Sequence, residues 1–545
     1  MAGHAFENCT PAYVEGIKAG DRTEFPGTPA FTNGVAPCRF QGDIEELEVF
    51  GNMPKSIRGT YYSMGVDKRF PPIHEDDILF NGDGIVGAYY IVDGHVDWKR
   101  RYVQNDRYKA ESKARRSLFG RYRNPYTDDA SVKGLIRTTS NTNIVFWRGV
   151  ILACKEDGPP YALDPETLET IGRYDFDGQV VSPTFTAHPK IDPETGNMLC
   201  FGYEAGGNGN DCSREIVFYE IGADGKKLTE AWFEAPFCGY IHDFGFTKNH
   251  IILPMTPLKA DLQRLQKSKV HWAWDPNEDH FFGVAPRRSP KREDMVWLRS
   301  DNCFQGHVAG AYESEGGDLV FDLSMADGNV FFWFPEPGKP PVPPGPGSAL
   351  KSPMTRYTFP VAKDGRLVSP EKRITPALSC QTSVEFSRID DRFQGREYTQ
   401  FWALGMDGAR PYDMARCGPP AGGLFNLLVH YNWSTGAEEV WWPGPTTTLQ
   451  EPCFVPRDVD GSPEGEGHIV VVLNRLDRGI NELAVLDAQK VGDGPVALVR
   501  LPLRPRLAFH GNFVDHRDIE RFEMEKEELK AKGPPAPLPW QQKGL

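Results

Sequence analysis

From about Glu45 onward, apolar runs of four to eight residues recur along the chain, alternating with polar positions and cut by turn residues. Gly87-Ala-Tyr-Tyr-Ile-Val-Asp-Gly94, Asn143-Ile-Val-Phe-Trp147, Val150-Ile-Leu-Ala-Cys154 and Gly245-Phe-Thr-Lys-Asn-His-Ile-Ile-Leu253 are examples. A period of two, rich in β-branched and aromatic residues, predicts strands, and the Asp-Gly, Asn-Gly and Pro-Glu-Thr turns between them predict antiparallel meanders. Many short strands of this kind build a sandwich, a barrel or a propeller. Trp-Asp stands only at 274–275, and no Gly-His partner recurs at a fixed period, so the usual propeller repeat signature is missing. The pattern alone predicts a large all-β fold.

Helical spacing is confined to two patches. Leucines at 258, 262 and 265 predict a helix over 258–267 that caps one face of the fold, and a second helix is expected over 517–532. Residues 1–40, rich in Gly, Pro and polar side chains, are expected to wrap the outside or fray. The prolines of 335–347 exclude sheet pairing and predict a surface insertion, and the tail from Gly533 is expected to lie over the surface or stay disordered. The expected organisation is a wrapping segment 1–40, a single β domain 41–516 and a C-terminal helix and Pro-rich tail 517–545.

Composition narrows the function. A chain of 545 residues with 39% hydrophobic and 12% aromatic content sustains one large core, and the formal charge of −14 argues against nucleic acid and against an anionic membrane surface. A neutral substrate is expected. The ten cysteines are scattered singly with no Cys-x-x-Cys pair, so neither a zinc knuckle nor a disulfide framework is expected. No run approaches 18 apolar residues and no apolar signal core is visible, which predicts no stable membrane insertion and a cytoplasmic protein.

Four histidines stand apart from the other nine. His242 lies in Phe237-Cys-Gly-Tyr-Ile-His-Asp-Phe-Gly-Phe-Thr247, a strand-like aromatic run; His188 lies in Thr186-Ala-His-Pro189, His307 in Phe304-Gln-Gly-His307, followed by Ala311-Tyr-Glu313, and His510 in Phe509-His-Gly511. His188, His307 and His510 are flanked by Phe, Pro or Gly, and each reads as an inward-facing strand end or tight turn. Neutral imidazoles so placed suit Fe, Cu or Zn. His4, His95, His250, His271, His280, His430, His468 and His516 sit beside charged or turn residues and receive no site. His74-Glu75-Asp76 formally offers the His-x-Asp of a facial triad, against which stands a solvated turn in a polar loop.

These motifs, in this order over nearly the whole chain, resemble the carotenoid cleavage oxygenases, and within them the fungal and bacterial lignostilbene and resveratrol cleavage dioxygenases. The resemblance implies a seven-bladed β-propeller with a helical and loop cap over one face, and a ferrous ion on the axis held by His188, His242, His307 and His510. Two positions stay open for O2, the co-substrate. It places Glu156, Glu385 and Glu451 behind the ligands, where a carboxylate accepts the second ring N–H and fixes the tautomer. Phe80, in Leu79-Phe-Asn-Gly-Asp-Gly84, matches a wall of the substrate tunnel, its other reading being a core aromatic before a turn.

Tyr122 and Lys155 match the pair that grips a substrate 4-hydroxyl in the stilbene-cleaving branch. The alternatives are that Lys155 only pairs with Glu156 or Asp157 at the surface, and that Tyr126 faces the pocket. The implied reaction is O2-dependent cleavage of the interring alkene of a 4-hydroxystilbene, such as resveratrol or piceatannol, into two aldehydes. Carotenoid or apocarotenoid cleavage on the same scaffold, and a metal-free propeller interaction module, are the competing readings.

Overall fold

The computed structural model describes residues 23–207, 211–342, 350–362, 367, 374, 376–378, 380–420, 423–538 and 541. Its strands form seven antiparallel sheets of four to six strands, the blades of a propeller. Two of the expected runs, Asn143–Trp147 and Val150–Cys154, are strands paired with each other, and the run from Gly87 lies in the strand Gly84–Val92, which pairs with Gly59–Val66. Both ends of the chain close the ring. Glu48–Gly51 adds to Pro495–Leu501 in one blade, and Ala508–Asp515 pairs with Gly59–Val66 in the next. His510 therefore sits on a C-terminal strand stitched into an N-terminal blade.

The core lies largely in the seams between blades. Leu152 and Cys154 of one sheet meet Cys200 and Val217 of the next, and Leu404 and Leu428 meet Val471 and Ala484, all fully or almost fully buried. Burying one such Leu or Val side chain is worth about 1.5–3 kcal/mol, so each seam helps to hold its two blades together.

Three local expectations are corrected. The run Gly245–Leu253 is a hairpin, because the Glu313 carboxylate draws in the Thr247 hydroxyl (2.7 Å) and the Asn249 amide N–H (2.9 Å) and turns the chain before the strand His250–Ala260. The run 237–247 is two dipeptide strands, Gly239–Tyr240 and Gly245–Phe246, with His242 between them. The helix expected over 258–267 is a strand end followed by a short helix, Leu262–Gln266: Leu258 pairs with Trp274 across a sheet, and the Asp261 carboxylate caps the helix by accepting from the Arg264 N–H. The C-terminal helix forms as His516–Arg521 and Glu523–Lys532, separated at Phe522.

Of the segment 1–40, residues 1–22 lie outside the described residues; Ala30, Phe31 and Val35 are buried, and Gly34 O accepts from Arg504 Nη1 (2.7 Å). The Pro-rich stretch is described only to Val342, and no strand forms among its described residues. In the tail, Leu538 is buried and Arg173 donates to the Ala536 carbonyl. No helix among the described residues is long and apolar enough to cross a membrane.

Candidate metal centre and aromatic chamber

Strand irregularities aim the histidines. His307 lies in Phe304–Glu313 where the pairing with Leu319–Ala326 shifts between Gln305 and Val308, and His510 lies opposite the shift between Ser63 and Gly65. A bulge of this kind re-aims a side chain that regular pleating would send elsewhere. His188 precedes the short strand Lys190–Ile191, and its N–H donates to Thr186 Oγ1 (2.9 Å).

The four rings converge so that one ligand nitrogen from each lies within 4.8 Å of the others. His242 Nε2 is 3.1 Å from His188 Nε2 and 3.0 Å from His307 Nε2. Behind three of them stand carboxylates: Glu156 Oε1 is 2.5 Å from His242 Nδ1, Glu451 Oε1 is 3.0 Å from His510 Nδ1, and Glu385 Oε2 contacts His307 Nδ1. Burial pushes the Glu156 and Glu385 carboxyls up, but the histidine partners, together with Lys155 and Arg123 at Glu156 and with the Ser324 hydroxyl and the Phe386 N–H at Glu385, hold them down at about 2. The Nδ1 protons are thereby committed outward, leaving Nε2 lone pairs facing one another at about 3 Å. Such an arrangement fits a cation between them, and four neutral imidazoles with no carboxylate among the ligand atoms suit a first-row transition metal.

The carboxylates are themselves anchored. Ser324 Oγ donates to Glu385 Oε1 (2.7 Å), and Arg388 Nη1 donates to Glu451 Oε2 (3.4 Å) and to the Gly511 carbonyl (2.9 Å). Gly306 is required here, because a Cβ at that position would overlap the Glu385 carboxylate and the Ser324 hydroxyl. Phe386 lies almost parallel to the His307 ring at 4.7 Å.

Aromatic side chains continue from the cluster. Tyr240 stacks on His242 (5.6 Å) and touches Phe331 (5.9 Å), and Phe80 packs on Phe331 and Trp333 (5.1 Å each) and on Phe509 (5.5 Å), the neighbour of His510. Tyr122 closes the far side, 6.4 Å from Phe80 and 5.8 Å from Phe334. Lys155 Nζ sits 5.1 Å from the centre of the Tyr122 ring and donates to Phe80 O (2.7 Å) and Asn141 Oδ1 (2.9 Å). Lys155 is 2% exposed, and burial pushes its ammonium down to about 8. Tyr122 is buried, whereas Tyr126 is 48% exposed.

All ten sequence-predicted site residues thus meet in one region. The other described histidines lie elsewhere: His271 pairs with Glu204 (2.9 Å), His250 with Glu313 (3.2 Å) and His430 with Gln400 (2.9 Å). Residues beside charged or turn neighbours in sequence are nonetheless buried at 271, 280, 430 and 468. His74 stays in a loop where Asp76 pairs with Arg121 (2.7 Å). Asn141, Arg388, Ser324 and the Phe331–Trp333 platform were not anticipated; only the run of four aromatics at 331–334 carried a visible signal.

Residues 35–515 match the profile of the Retinal pigment epithelial membrane protein family. The chain is 50% identical to resveratrol cleavage oxygenase 1 of Chaetomium globosum, covering 96% of this chain and 94% of that protein. It is 39% identical to lignostilbene-alpha,beta-dioxygenase isozyme III of Sphingomonas paucimobilis, covering 90% and 98%. The crystal structure of Pseudomonas brassicacearum lignostilbene dioxygenase superposes with a TM-score of 0.85 at 40% identity, covering 91% of this chain and all of that one. With its seven blades and four converging histidines, the chain belongs to the Retinal pigment epithelial membrane protein family, the carotenoid oxygenases.

Proposed function

We propose that this chain is a non-haem Fe(II) dioxygenase that splits the interring double bond of 4-hydroxystilbenes such as resveratrol and piceatannol. The carrying observation is Lys155, a buried amine beside Tyr122 at the edge of a cluster of aromatic side chains that continues to the histidines. Lys155 donates to Phe80 O and Asn141 Oδ1, which leaves one direction of its nitrogen for a polar group of the substrate, and a wholly apolar polyene offers none. A flat phenol with a polar end matches it. The 50% identity to a resveratrol cleavage oxygenase supports the same substrate class.

A ferrous ion held by His188, His242, His307 and His510 would supply the open positions at which O2 becomes reactive. The chain's own residues do the rest. Phe80, Phe331 and Trp333 hold the flat substrate between aromatic faces and exclude water. Lys155, with its ammonium lowered to about 8, exists partly as the free amine near neutral pH and takes the phenolic proton, while Tyr122 holds the phenol oxygen. The phenolate pushes electron density through the ring onto the alkene. One C=C bond breaks and two C=O bonds form, one oxygen atom entering each aldehyde, and the alkene supplies all the electrons, so no reductant is consumed.

Incubating the Fe(II)-loaded chain with resveratrol, piceatannol and a panel of carotenoids, and identifying the aldehydes by mass, tests this reading. Resveratrol should give 4-hydroxybenzaldehyde and 3,5-dihydroxybenzaldehyde. Carotenoid fragments with no stilbene products would contradict it.

A further inference from the structure

Lys155 is aimed as well as buried. An ammonium has three N–H bonds and a neutral amine has two with a lone pair in the third direction. Two directions are taken here, by Phe80 O at 2.7 Å and Asn141 Oδ1 at 2.9 Å. Asn141 is fully buried and its own amide is pinned, Nδ2 donating to Phe80 O (2.9 Å) and to Gly82 O (2.7 Å), while Thr142 Oγ1 donates to Oδ1 (3.2 Å). The backbone beneath it is fixed too. Gly84 N–H donates to Thr139 O (2.9 Å), and only a glycine at 84 lets the chain pass so close to the Ser140 carbonyl. The nearby carboxylates are engaged elsewhere, Glu156 with His242 and Asp157 with the Thr138 hydroxyl (2.7 Å).

We infer that Asn141 is a positioning residue for phenol binding: with the Phe80 carbonyl it takes two of the three directions of the Lys155 nitrogen, so that the third, proton or lone pair, faces the substrate 4-hydroxyl. The inference rests on the phenol-binding role proposed for Lys155. It ties the amine to the backbone of Phe80, whose ring walls the same chamber, so the polar grip and the aromatic wall move as one unit. The charged and titratable groups facing Lys155 are Asp157, Glu156, Arg107 and Arg123, with the Tyr122 ring beside it.

The test is the pH dependence of kcat/KM for resveratrol, measured on the Fe(II)-loaded full chain and on Asn141→Asp, Asn141→Leu and Lys155→Met, with iron content measured for each. Asn141→Asp keeps the shape but sets a carboxylate against the Lys155 nitrogen, which favours the ammonium. The rising limb of the profile should therefore move to higher pH. Asn141→Leu frees the amine to rotate and should lower the plateau about tenfold or more, the effect of losing a hydrogen bond to a charged group. Iron content should stay at the parent value in both.

A merely structural asparagine would alter stability without moving the limb. If both Asn141 variants keep the parent limb and plateau while Lys155→Met loses turnover, the inference is wrong and the phenol reading stands. If Lys155→Met also turns over at the parent rate, the phenol reading itself fails. Should Asn141→Leu not fold, the limb of the near-isosteric Asn141→Asp decides.

Discussion

Lys155 and Glu156 are consecutive residues that face different partners: Glu156 Oε1 lies 2.5 Å from His242 Nδ1, whereas Lys155 Nζ lies 2.7 Å from the Phe80 carbonyl, beside the Tyr122 ring. The chain leaves its strand at Lys155 and turns at Glu156, which sends the two side chains to different partners. A single turn-of-strand after Val150–Cys154 therefore serves both the metal centre and the substrate end. Changes at the two positions should have separable effects.

Replacing any one of His188, His242, His307 or His510 by Ala should abolish turnover and most bound iron, since no carboxylate stands among the ligand atoms to take over. His280→Gln, in a blade strand outside the cluster, should keep its iron. Metal analysis after Fe(II) loading checks both; full iron and turnover in one of the four alanine variants would show that the ligand set is wrong.

Glu156→Gln, Glu385→Gln and Glu451→Gln should each weaken iron affinity or turnover about 10–100-fold while the protein stays folded, because the carboxylate orients its imidazole. Chelator competition reads the affinity directly. Unchanged affinity in all three would refute the supporting role.

Much of this was legible in the sequence, for definite reasons. His188, His307 and His510 stand beside Pro or Gly, flanks that are visible without a structure, and His242 is marked by the aromatic run around it. The bulges themselves were not, since the shift at His307 is set by pairing with Leu319–Ala326 and that at His510 by pairing with Gly59–Val66, a strand from the other end of the chain. The leucines at 258, 262 and 265 carry helical spacing, yet Leu258 is committed to a sheet by Trp274. Asn141 sits in a polar stretch that reads as a loop. Its importance arises only where the fold brings it to Phe80 and Lys155.

Burial of Lys155 makes a stability prediction. Its ammonium falls from an ordinary 10.5 to about 8 in the folded chain, so between those pH values the unfolded chain binds more protons and stability rises with pH. The destabilisation from burying the charge is full below pH 8 and gone above 10.5, and it amounts to about 3 kcal/mol at 1.36 kcal/mol per pKa unit. Lys155→Met should thus be more stable than the parent at pH 7, with the difference shrinking from pH 8 to 10.5. Denaturant unfolding across that range measures it, and a constant difference would contradict the buried-amine picture.

In turnover the same substitution should be costly. Lys155→Met should lose at least about tenfold on resveratrol and Tyr122→Phe somewhat less, both with normal iron content, as expected for losing a hydrogen bond to a charged or phenolic group. Steady-state rates beside metal analysis separate these variants from the ligand series.

The central claim is that the chamber recognises and ionises a 4-hydroxyl, and the comparison of kcat/KM for resveratrol with that for its 4-methoxy analogue tests it most directly. A site built to pair that hydroxyl leaves its own buried polar groups unmatched when the hydroxyl is methylated, so the analogue should be cleaved at least about ten- to a hundred-fold more slowly. Equal rates for the two would contradict phenol activation by Tyr122 and Lys155.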